Sequence, residues 1–251
     1  KSIALAMISI NTFVYSTSLF QIDIECSKYL IYMYAFFKCE KRHINEKKNV
    51  IMLRVINMKK IVLATHNAHK VQEFQDALKE FGIEVISASS LGIDEEPIED
   101  GTTFEENALI KARFVASKTN LPVISDDSGL EVHALNNFPG IYSSRFMEGH
   151  TYVEKCEEII RRLKDKEDKT ANFTCVIAYI VDQKEYLFKG TCEGVIISEL
   201  RGHNGFGYDP IFYIPHLNKT YAELTEKEKT SISHRGNAIQ KWKEFLLQHL
   251  S

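Results

Sequence analysis

Residues 58–88 of this 251-residue chain read MKKIVLATHNAHKVQEFQDALKEFGIEVISA. The apolar run from Ile61 to Ala64 is typical of a short buried strand. From His69 to Phe81 the apolar residues recur at helical spacing, and Gly82 ends that pattern. Residues 83–88 indicate a second strand. A strand, a helix and a strand within about 30 residues predict the beginning of an α/β fold.

Patterns further along the chain predict a mixed sheet with additional helices. Thr102 or Thr103 can cap a helix that runs to about residue 118, with a glutamate three residues later as a capping box. The other predicted elements are strands at 121–124 and 130–134 joined by a turn at 125–129, a helix at 151–163, antiparallel strands at 174–181, 185–189 and 193–198, a glycine-rich loop at 200–209, and helices at 225–229 and 235–250. We therefore expect an α/β fold with a mixed central sheet.

The composition excludes several classes of protein. With 44% hydrophobic and 26% charged residues, the chain is unlike disordered, fibrous or polytopic membrane proteins. The formal net charge of −3 gives no general attraction to nucleic acid, so we expect no nucleic-acid partner. The five cysteines are odd in number and contain no CxxC motif, which argues against a disulfide scaffold or a zinc site. This cysteine usage predicts a cytoplasmic location.

The chain changes character near Met58. Residues 1–57 contain neither glycine nor proline and carry a net charge of +4, whereas the remainder carries −7. Residues 3–20 hold no charge, but six Ser, Thr and Asn residues interrupt the run, so it only weakly indicates a membrane anchor. We therefore predict an N-terminal extension at 1–57 without a role in the chemistry, a catalytic domain at 58–251, and no membrane partner.

Two groups of acidic residues are candidates for a metal site. Asp126 and Asp127 follow a predicted buried strand, at the end of the sheet where α/β proteins place their ligands. Glu99 belongs to a separate acidic loop. Carboxylates from two loops can share a Mg²⁺ ion, which prefers oxygen ligands. Since Asp, Ser and Gly are also common turn residues, the spacing alone leaves both a magnesium site and a plain turn open.

The turn from Thr65 to Lys70 joins the first predicted strand to the first predicted helix. A helix N-terminus binds phosphate readily, and here Thr65 and Asn67 add polar groups while Lys70 adds a positive charge. The chain contains no GxxxxGK[ST] motif, so this turn is not a P-loop. The alternative is a simple capped helix with a solvated lysine, and the turn alone is weak evidence for a phosphate site.

Two later segments carry groups that suit a nucleotide base. In the loop at 202–210, glycines flank Phe206, whose ring can stack on a base, and Asp209 can accept hydrogen bonds from ring N–H groups. Lys229 and Arg235 lie near the start of the last predicted helix, where a positive charge is unfavourable, and this suggests an anionic or carbonyl-rich ligand. An ordinary loop and a solvated charged face are the alternatives.

Taken together, these motifs resemble the inosine triphosphate pyrophosphatase family, which hydrolyses non-standard purine nucleoside triphosphates. The resemblance runs from Met58 to about Leu250. Its motifs agree in order and spacing: Thr65, Asn67 and Lys70; Thr103-Phe104-x-Glu106-Asn107-Ala108 with Lys111-Ala112; Ser125-Asp126-Asp127-Ser128-Gly129-Leu130; Pro139-Gly140-Ile141-Tyr142-Ser143-Ser144-Arg145; Gly205-Phe206-Gly207-Tyr208-Asp209-Pro210; and Glu223-Leu224 through Lys229 to Ser233-His234-Arg235-Gly236.

The resemblance implies a mixed α/β fold of two lobes with the nucleotide in the cleft between them, and a homodimer. It implies a Mg²⁺-dependent enzyme that cleaves ITP, dITP and XTP between the α- and β-phosphates, which gives the nucleoside monophosphate and pyrophosphate. The alternatives are a pyrophosphatase for modified pyrimidine or methylated nucleotides, a nucleotide-binding module without catalysis, and a membrane-tethered protein whose function lies in residues 1–57.

The resemblance also implies roles for particular residues. Asp127 would be the general base and a Mg²⁺ ligand, and Glu99 would help to hold the metal. His66 stands where the family commonly has glycine, and His69 stands where glycine is frequent. The implied substrate-binding residues are Thr65, His66, Asn67, Ala68, His69, Lys70, Ser128, Phe206, Gly207, Tyr208, Asp209, Lys229, His234 and Arg235.

Overall fold

The computed structural model describes residues 60–65 and 67–249. His66 and the predicted extension at 1–57, with its uncharged run at 3–20, lie outside the described residues. The side chains of Ala68, His69, Glu80 and His249 are likewise not described. Within the described part, no helix is both long enough and apolar enough to cross a membrane.

Helices and strands alternate at first and are then followed by a run of strands. The helices are α1 (Ala68–Leu78), α2 (Phe104–Ala116), α3 (Tyr152–Leu163), α4 (Glu226–Ile232) and α5 (His234–His249). The strands are β1 (Lys60–Leu63), β2 (Glu84–Ser87), β3 (Val123–Val132), β4 (Phe138–Pro139), β5 (Thr170–Val181), β6 (Lys184–Ile196), β7 (Phe212–Ile214) and β8 (Lys219–Thr220).

The strands form one mixed sheet, which confirms the predicted fold class. Its order is β2-β1-β3-β5-β6-β7-β8, and the short β4 pairs with β3. β1 is parallel to both β2 and β3, as expected for a strand–helix–strand beginning, whereas the remaining neighbours are antiparallel.

β3 corrects the prediction of two short strands joined by a turn at 125–129. The strand continues without a break, because β5 stays paired with it from Val123 to Val132. Its parallel neighbour β1 ends opposite Ile124, so the rest of β3 extends past the carboxyl end of β1. Gly129 is a strand residue here rather than a turn residue, since it pairs with Thr174 of β5. A Cβ at this position would lie 2.3 Å from the carbonyl oxygen of Gly140, so the glycine permits this close approach.

β6 corrects a second predicted break. The segments predicted as strands at 185–189 and 193–198 are joined in one strand, which ends at Ile196 and pairs along the full length of β5. Gly190 lies inside this strand where α5 crosses it. A Cβ on Gly190 would lie 2.2 Å from the carbonyl oxygen of His234 and 2.3 Å from the nitrogen of Ala238. The glycine therefore permits close packing of a helix on the sheet.

Three buried clusters divide the described chain into two lobes. In the first lobe, α1 and α5 cover one face of the sheet around Phe74 and Trp242, and α2 covers the other face around Ala108 and Ala112. In the second lobe, α3 and the loops near β7 pack on the far ends of the long strands around Ile159. β3 and β5 contribute residues to both lobes, so polar residues halfway along them lie between the lobes.

Candidate active site

A cavity of about 460 Å³ lies between the two lobes, beyond the carboxyl end of β1. The structure brings most of the predicted site residues to its wall. These are Thr65, Asn67, Lys70, Glu99, Asp127, Ser128, Phe206, Gly207, Tyr208, Asp209, Lys229, His234 and Arg235. Ala68 and His69 begin α1 beside this wall, although their side chains are not described, and His66 lies outside the described residues.

Asn67 organises the turn before α1. Its side-chain oxygen accepts a hydrogen bond from the nitrogen of Lys70 at 3.4 Å, and its own nitrogen donates to Oγ1 of Thr65 at 3.2 Å. Asn67 thus caps the helix that presents Lys70 to the cavity. The Lys70 Nζ lies 2.9 Å from Oδ1 of Asp126.

Asp126 joins Lys70 to a buried arginine. Its Oδ2 accepts hydrogen bonds from Nε and Nη2 of Arg235, each at 3.3 Å. The other Arg235 contacts are with Glu73, at 2.7 Å, and with Oγ of Ser128, at 3.1 Å. Burial opposes the ionisation of Asp126, but Lys70 and Arg235 together hold the pKa of its carboxyl well below the ordinary value.

Asp127 has a different environment on the other face of β3. Its Oδ1 accepts a hydrogen bond from Nζ of Lys111 at 2.9 Å, and the same Nζ lies 3.3 Å from Oε2 of Glu99. The Oδ2 of Asp127 is buried and has no hydrogen-bond partner among the residues that the structure describes. Burial raises the pKa of Asp127, Lys111 opposes this, and the Glu99 charge adds to it. A carboxylate with one unused oxygen and a raised pKa suits a base.

The pair of Glu99 and Asp127 fits the ligand chemistry of magnesium. Both are oxygen donors, they meet at one ammonium group, and the buried Oδ2 of Asp127 has capacity for a cation. No group of three or more His, Cys, Asp and Glu side chains suited to a metal occurs in the described chain. A Mg²⁺ held here would therefore take further ligands from water or substrate, as this ion usually does.

Asp209 anchors the loop that lines the cavity from the second lobe. Its Oδ2 accepts hydrogen bonds from the nitrogen of Phe206 at 2.8 Å and from Nζ of Lys229 at 2.5 Å. Gly205 has a φ of +73°, and a Cβ there would lie 2.0 Å from Asp209 Oδ2, so only glycine allows the loop to close around this carboxylate. Burial raises the pKa of Asp209, while the Lys229 charge opposes the shift.

Aromatic groups lie next to Asp209 in the wall of the cavity. The Nζ of Lys229 lies 4.9 Å from the centre of the Phe206 ring. Tyr208 is buried, and its hydroxyl donates to the carbonyl oxygen of Ser143 at 2.9 Å, which ties the loop to the residues after β4. Phe206 and Gly207 of the same loop are only partly covered and face the cavity.

His234 is a neutral imidazole inside the protein. Its ring stacks on Phe173 with centres 4.7 Å apart and an interplanar angle of 14°. Burial lowers the pKa of His234 well below its ordinary value, and the charges of Arg235 and Lys229 lower it further. Its Nδ1 has no hydrogen-bond partner among the described residues, and the side chain lines the cavity. The ring therefore carries one buried nitrogen without a hydrogen-bond partner next to the cavity.

The structure adds to the interpretation of two pairs of charged residues. Lys229 and Arg235 line the cavity, and buried carboxylates also balance their charges, so an unfavourable position near a helix start does not by itself indicate a ligand. Asp126 and Asp127 were expected in a turn after a strand, but they lie inside β3. An uninterrupted strand holds the two carboxylates in place more rigidly than a turn does.

Sequence reasoning missed several residues that the fold brings to the site. One of them is Lys111, which belongs to the Lys111-Ala112 motif and for which the motif implied no role. Ala108 and Val115 flank it on the buried face of α2. A lysine on a buried helix face is the signal that could have found it. The others are Glu73, which holds Arg235, and the cavity residues Ser143, Ser144 and Tyr152. The two serines belong to the motif at 139–145, which could have indicated them, whereas Glu73 and Tyr152 have no distinctive sequence signal.

The Ham1 family model matches residues 61–245. The chain belongs to the Ham1 family. This confirms the resemblance inferred from the motifs, and it places every predicted site residue inside the part of the chain that the family covers. Membership rests on most of the chain rather than on a single motif.

Relatives from other organisms agree with the family assignment. A protein named dITP/XTP pyrophosphatase from Desulfotalea psychrophila is 50% identical over 181 residues, which are 71% of this chain and 81% of that protein. A protein of the same name from Thermoanaerobacter pseudethanolicus is 46% identical over 194 residues, or 76% of this chain and 98% of that protein.

Solved structures of Ham1 proteins share the fold. The Staphylococcus aureus Ham1 protein matches with a TM-score of 0.70 and 44% identity, over 75% of this chain and 98% of that one. The Coxiella burnetii HAM1 protein matches with a TM-score of 0.72 and 42% identity, over 76% of this chain and 100% of that one. The fold described here is therefore that of the Ham1 family.

Proposed function

We propose that this Ham1 family member hydrolyses ITP, dITP and XTP to the nucleoside monophosphate and pyrophosphate. The observation that carries the proposal is one cavity lined by two chemically different sets of groups. Lys70, Lys111 and the buried oxygen of Asp127 line it together with the first lobe. Phe206 and Asp209 belong to the loop that lines it from the second lobe. The names of the relatives support this choice of substrates.

Asp127 is the proposed general base. In the free protein Lys111 holds Oδ1, and the buried Oδ2 has no hydrogen-bond partner among the described residues. With substrate bound, one oxygen of this carboxylate can accept a proton from a water molecule while the other binds the metal. The raised pKa of Asp127 makes the carboxylate a stronger base than an exposed aspartate. The reaction then requires attack of that water on the α-phosphorus, with pyrophosphate as the leaving group.

Glu99 and Asp127 are the proposed Mg²⁺ ligands. A bound divalent cation supplies charge neutralisation on phosphate oxygens, which lowers the repulsion felt by an attacking water. Lys70 and the residues that cap the N-terminus of α1 line the same cavity from the first lobe. These groups can bind the phosphates and stabilise the negative charge that develops on pyrophosphate.

Near Asp209 the cavity offers a hydrogen-bond acceptor beside a donor, and we place the purine base there. The carboxylate of Asp209 accepts hydrogen bonds, and the ammonium of Lys229 directly next to it donates them. Hypoxanthine and xanthine present the complementary pair, a ring N–H beside a carbonyl. Adenine presents an unprotonated ring nitrogen beside an amine, so both protein groups would lose a partner. A site built in this way can reject the wrong base by up to about 10⁴-fold.

Turnover of a panel of nucleotides tests the proposal. The full chain with MgCl₂ is given ITP, dITP, XTP, GTP, ATP, a modified pyrimidine triphosphate and a methylated purine triphosphate. We expect monophosphate and pyrophosphate, without orthophosphate, and the highest kcat/KM for ITP, dITP and XTP. A preference for the modified pyrimidine or the methylated nucleotide would replace the proposal by the alternative activity, and binding without turnover would reject an enzyme.

Three other properties are proposed with this function. The family resemblance implies a homodimer and a requirement for Mg²⁺ in particular, and the cysteine usage predicts a cytoplasmic location. Sedimentation measures the first, and comparison of Mg²⁺, Mn²⁺ and Ca²⁺ in the same turnover assay measures the last.

A further inference from the structure

The ammonium group of Lys111 occupies the point where the two proposed metal ligands meet. It lies 2.9 Å from Oδ1 of Asp127 and 3.3 Å from Oε2 of Glu99. The Lys111 side chain is only 14% exposed, because α2 carries it on the face that packs against the sheet. Lys111 is therefore held between the carboxylates rather than extended into solvent.

The charges around Lys111 are nearly balanced without a metal ion. The cations of this cluster are Lys70, Lys111 and Arg235, and its carboxylates are Asp126, Asp127, Glu73 and Glu99. Three positive charges therefore face four negative charges. A divalent ion added alone would change the net charge of this cluster from negative to positive. It would also place the metal ion and the ammonium of Lys111 close together in a site with little access to solvent.

We propose that Lys111 takes the place of the divalent cation in the free protein, so that the metal binds productively only together with the triphosphate. The proposal deepens the proposed function and rests on it. An ion that arrives alone can bind Glu99 and Asp127 together only by displacing the ammonium of Lys111. The other carboxylates of the cluster are already paired with Lys70 and Arg235, so they offer Lys111 no replacement partner.

The charges of the cluster change when the metal ion arrives together with a triphosphate. The phosphate oxygens bring several negative charges, and they can accept the three N–H bonds that a lysine ammonium donates. Lys111 can thus exchange the carboxylates for phosphate oxygens, which frees Glu99 and Asp127 for the cation. The free enzyme consequently keeps the base Asp127 paired until a substrate is present.

Titration with Mn²⁺ alone, followed by electron paramagnetic resonance, tests this role without any turnover. The proteins are the wild type, K111Q and the matched control K118Q. Lys118 follows α2, is exposed, and pairs with Glu95 of the same acidic loop, but it is not among the residues in contact with Asp127. We expect the Kd for Mn²⁺ to fall at least tenfold in K111Q and to change less than twofold in K118Q. An unchanged Kd in K111Q would overturn the proposal.

A second measurement uses the wild type alone and so does not depend on folding of the variant. Crystals soaked in MnCl₂, with or without pyrophosphate, are compared by anomalous scattering from the metal. We expect a peak beside Asp127 only when pyrophosphate is present, and a peak of equal height without it would overturn the proposal. Since neither experiment measures hydrolysis, a wild type that cleaves dITP yet fails these tests rejects the role of Lys111 and leaves the proposed function intact.

Discussion

Asp126 and Asp127 are neighbours in β3, yet their carboxylates lie on opposite faces of the sheet. Successive side chains of a strand alternate between the two faces. Asp126 consequently meets Lys70 and Arg235 beneath α1 and α5, whereas Asp127 meets Lys111 beneath α2. The result is one carboxyl with a pKa held well below its ordinary value and an adjacent one with a raised pKa.

Replacement of Asp127 by asparagine should remove activity with little effect on stability. The loss of a general base typically lowers kcat by 10²–10⁴-fold, so we expect about a 10³-fold decrease with dITP. Because burial already disfavours the charged form of Asp127, its removal should change the free energy of unfolding by about 1 kcal/mol or less. Steady-state kinetics and urea denaturation measure the two effects, and a variant with near wild-type kcat would contradict the assignment of the base.

The same change at Asp126 should act mainly on stability. It would leave Lys70 and Arg235 buried without their carboxylate, and breaking a buried pair in this way typically costs about 3–5 kcal/mol. Urea denaturation measures the loss, with Asp165→Asn as an exposed control that should stay within about 0.5 kcal/mol of the wild type. Equal destabilisation by the changes at Asp126 and Asp127 would show that the two faces do not differ as described.

Gly190→Ala should disturb the site from a distance. The new Cβ would strike the backbone of α5 at His234 and Ala238, so the helix must shift. We expect a loss of about 1–3 kcal/mol in stability and a higher KM for dITP, since α5 carries His234 and Arg235. The exposed neighbour Thr191→Ala is the control, and a variant with both values unchanged would refute the tight packing of α5 on β6.

The lowered pKa of His234 predicts a pH dependence of stability. The unfolded histidine binds a proton below about pH 6.5, but the folded one stays neutral, so the protein should lose stability as the pH falls below 6.5. This residue should account for about 1 kcal/mol between pH 7.5 and pH 5.5. His234→Phe, which can keep the stacking on Phe173, should remove that part of the dependence in urea titrations. An identical pH dependence in both proteins would contradict the neutral, buried state.

Residues 58–251 should fold and retain full activity without the preceding segment. Every predicted site residue belongs to this part, and the change in composition and charge occurs at its start. Comparison of kcat/KM for dITP between the full chain and the truncated one tests the domain boundary. A folded truncated protein with most of its activity lost would assign a role to residues 1–57.

Local patterns predicted the elements whose boundaries depend on local chemistry. Helix α3 begins after Thr151, whose side chain and Glu154 form the capping box that such a sequence favours. Helix α1 and its flanking strands also lie where the apolar spacing placed them. The breaks predicted at 125–129 and near Gly190 were wrong, because glycine there serves close contacts with residues distant in the chain.

The sequence by itself determined the family, the order of the elements and about half of the residues that line the cavity, since long motifs and hydrophobic periodicity are properties of neighbouring residues. Only the tertiary structure decided which charges meet. Lys111 lies 16 positions before Asp127, and Arg235 lies 109 positions after Asp126. Long-range pairing of strands and packing of helices bring these groups together, and burial then separates the pKa values of two adjacent aspartates that look identical in the sequence.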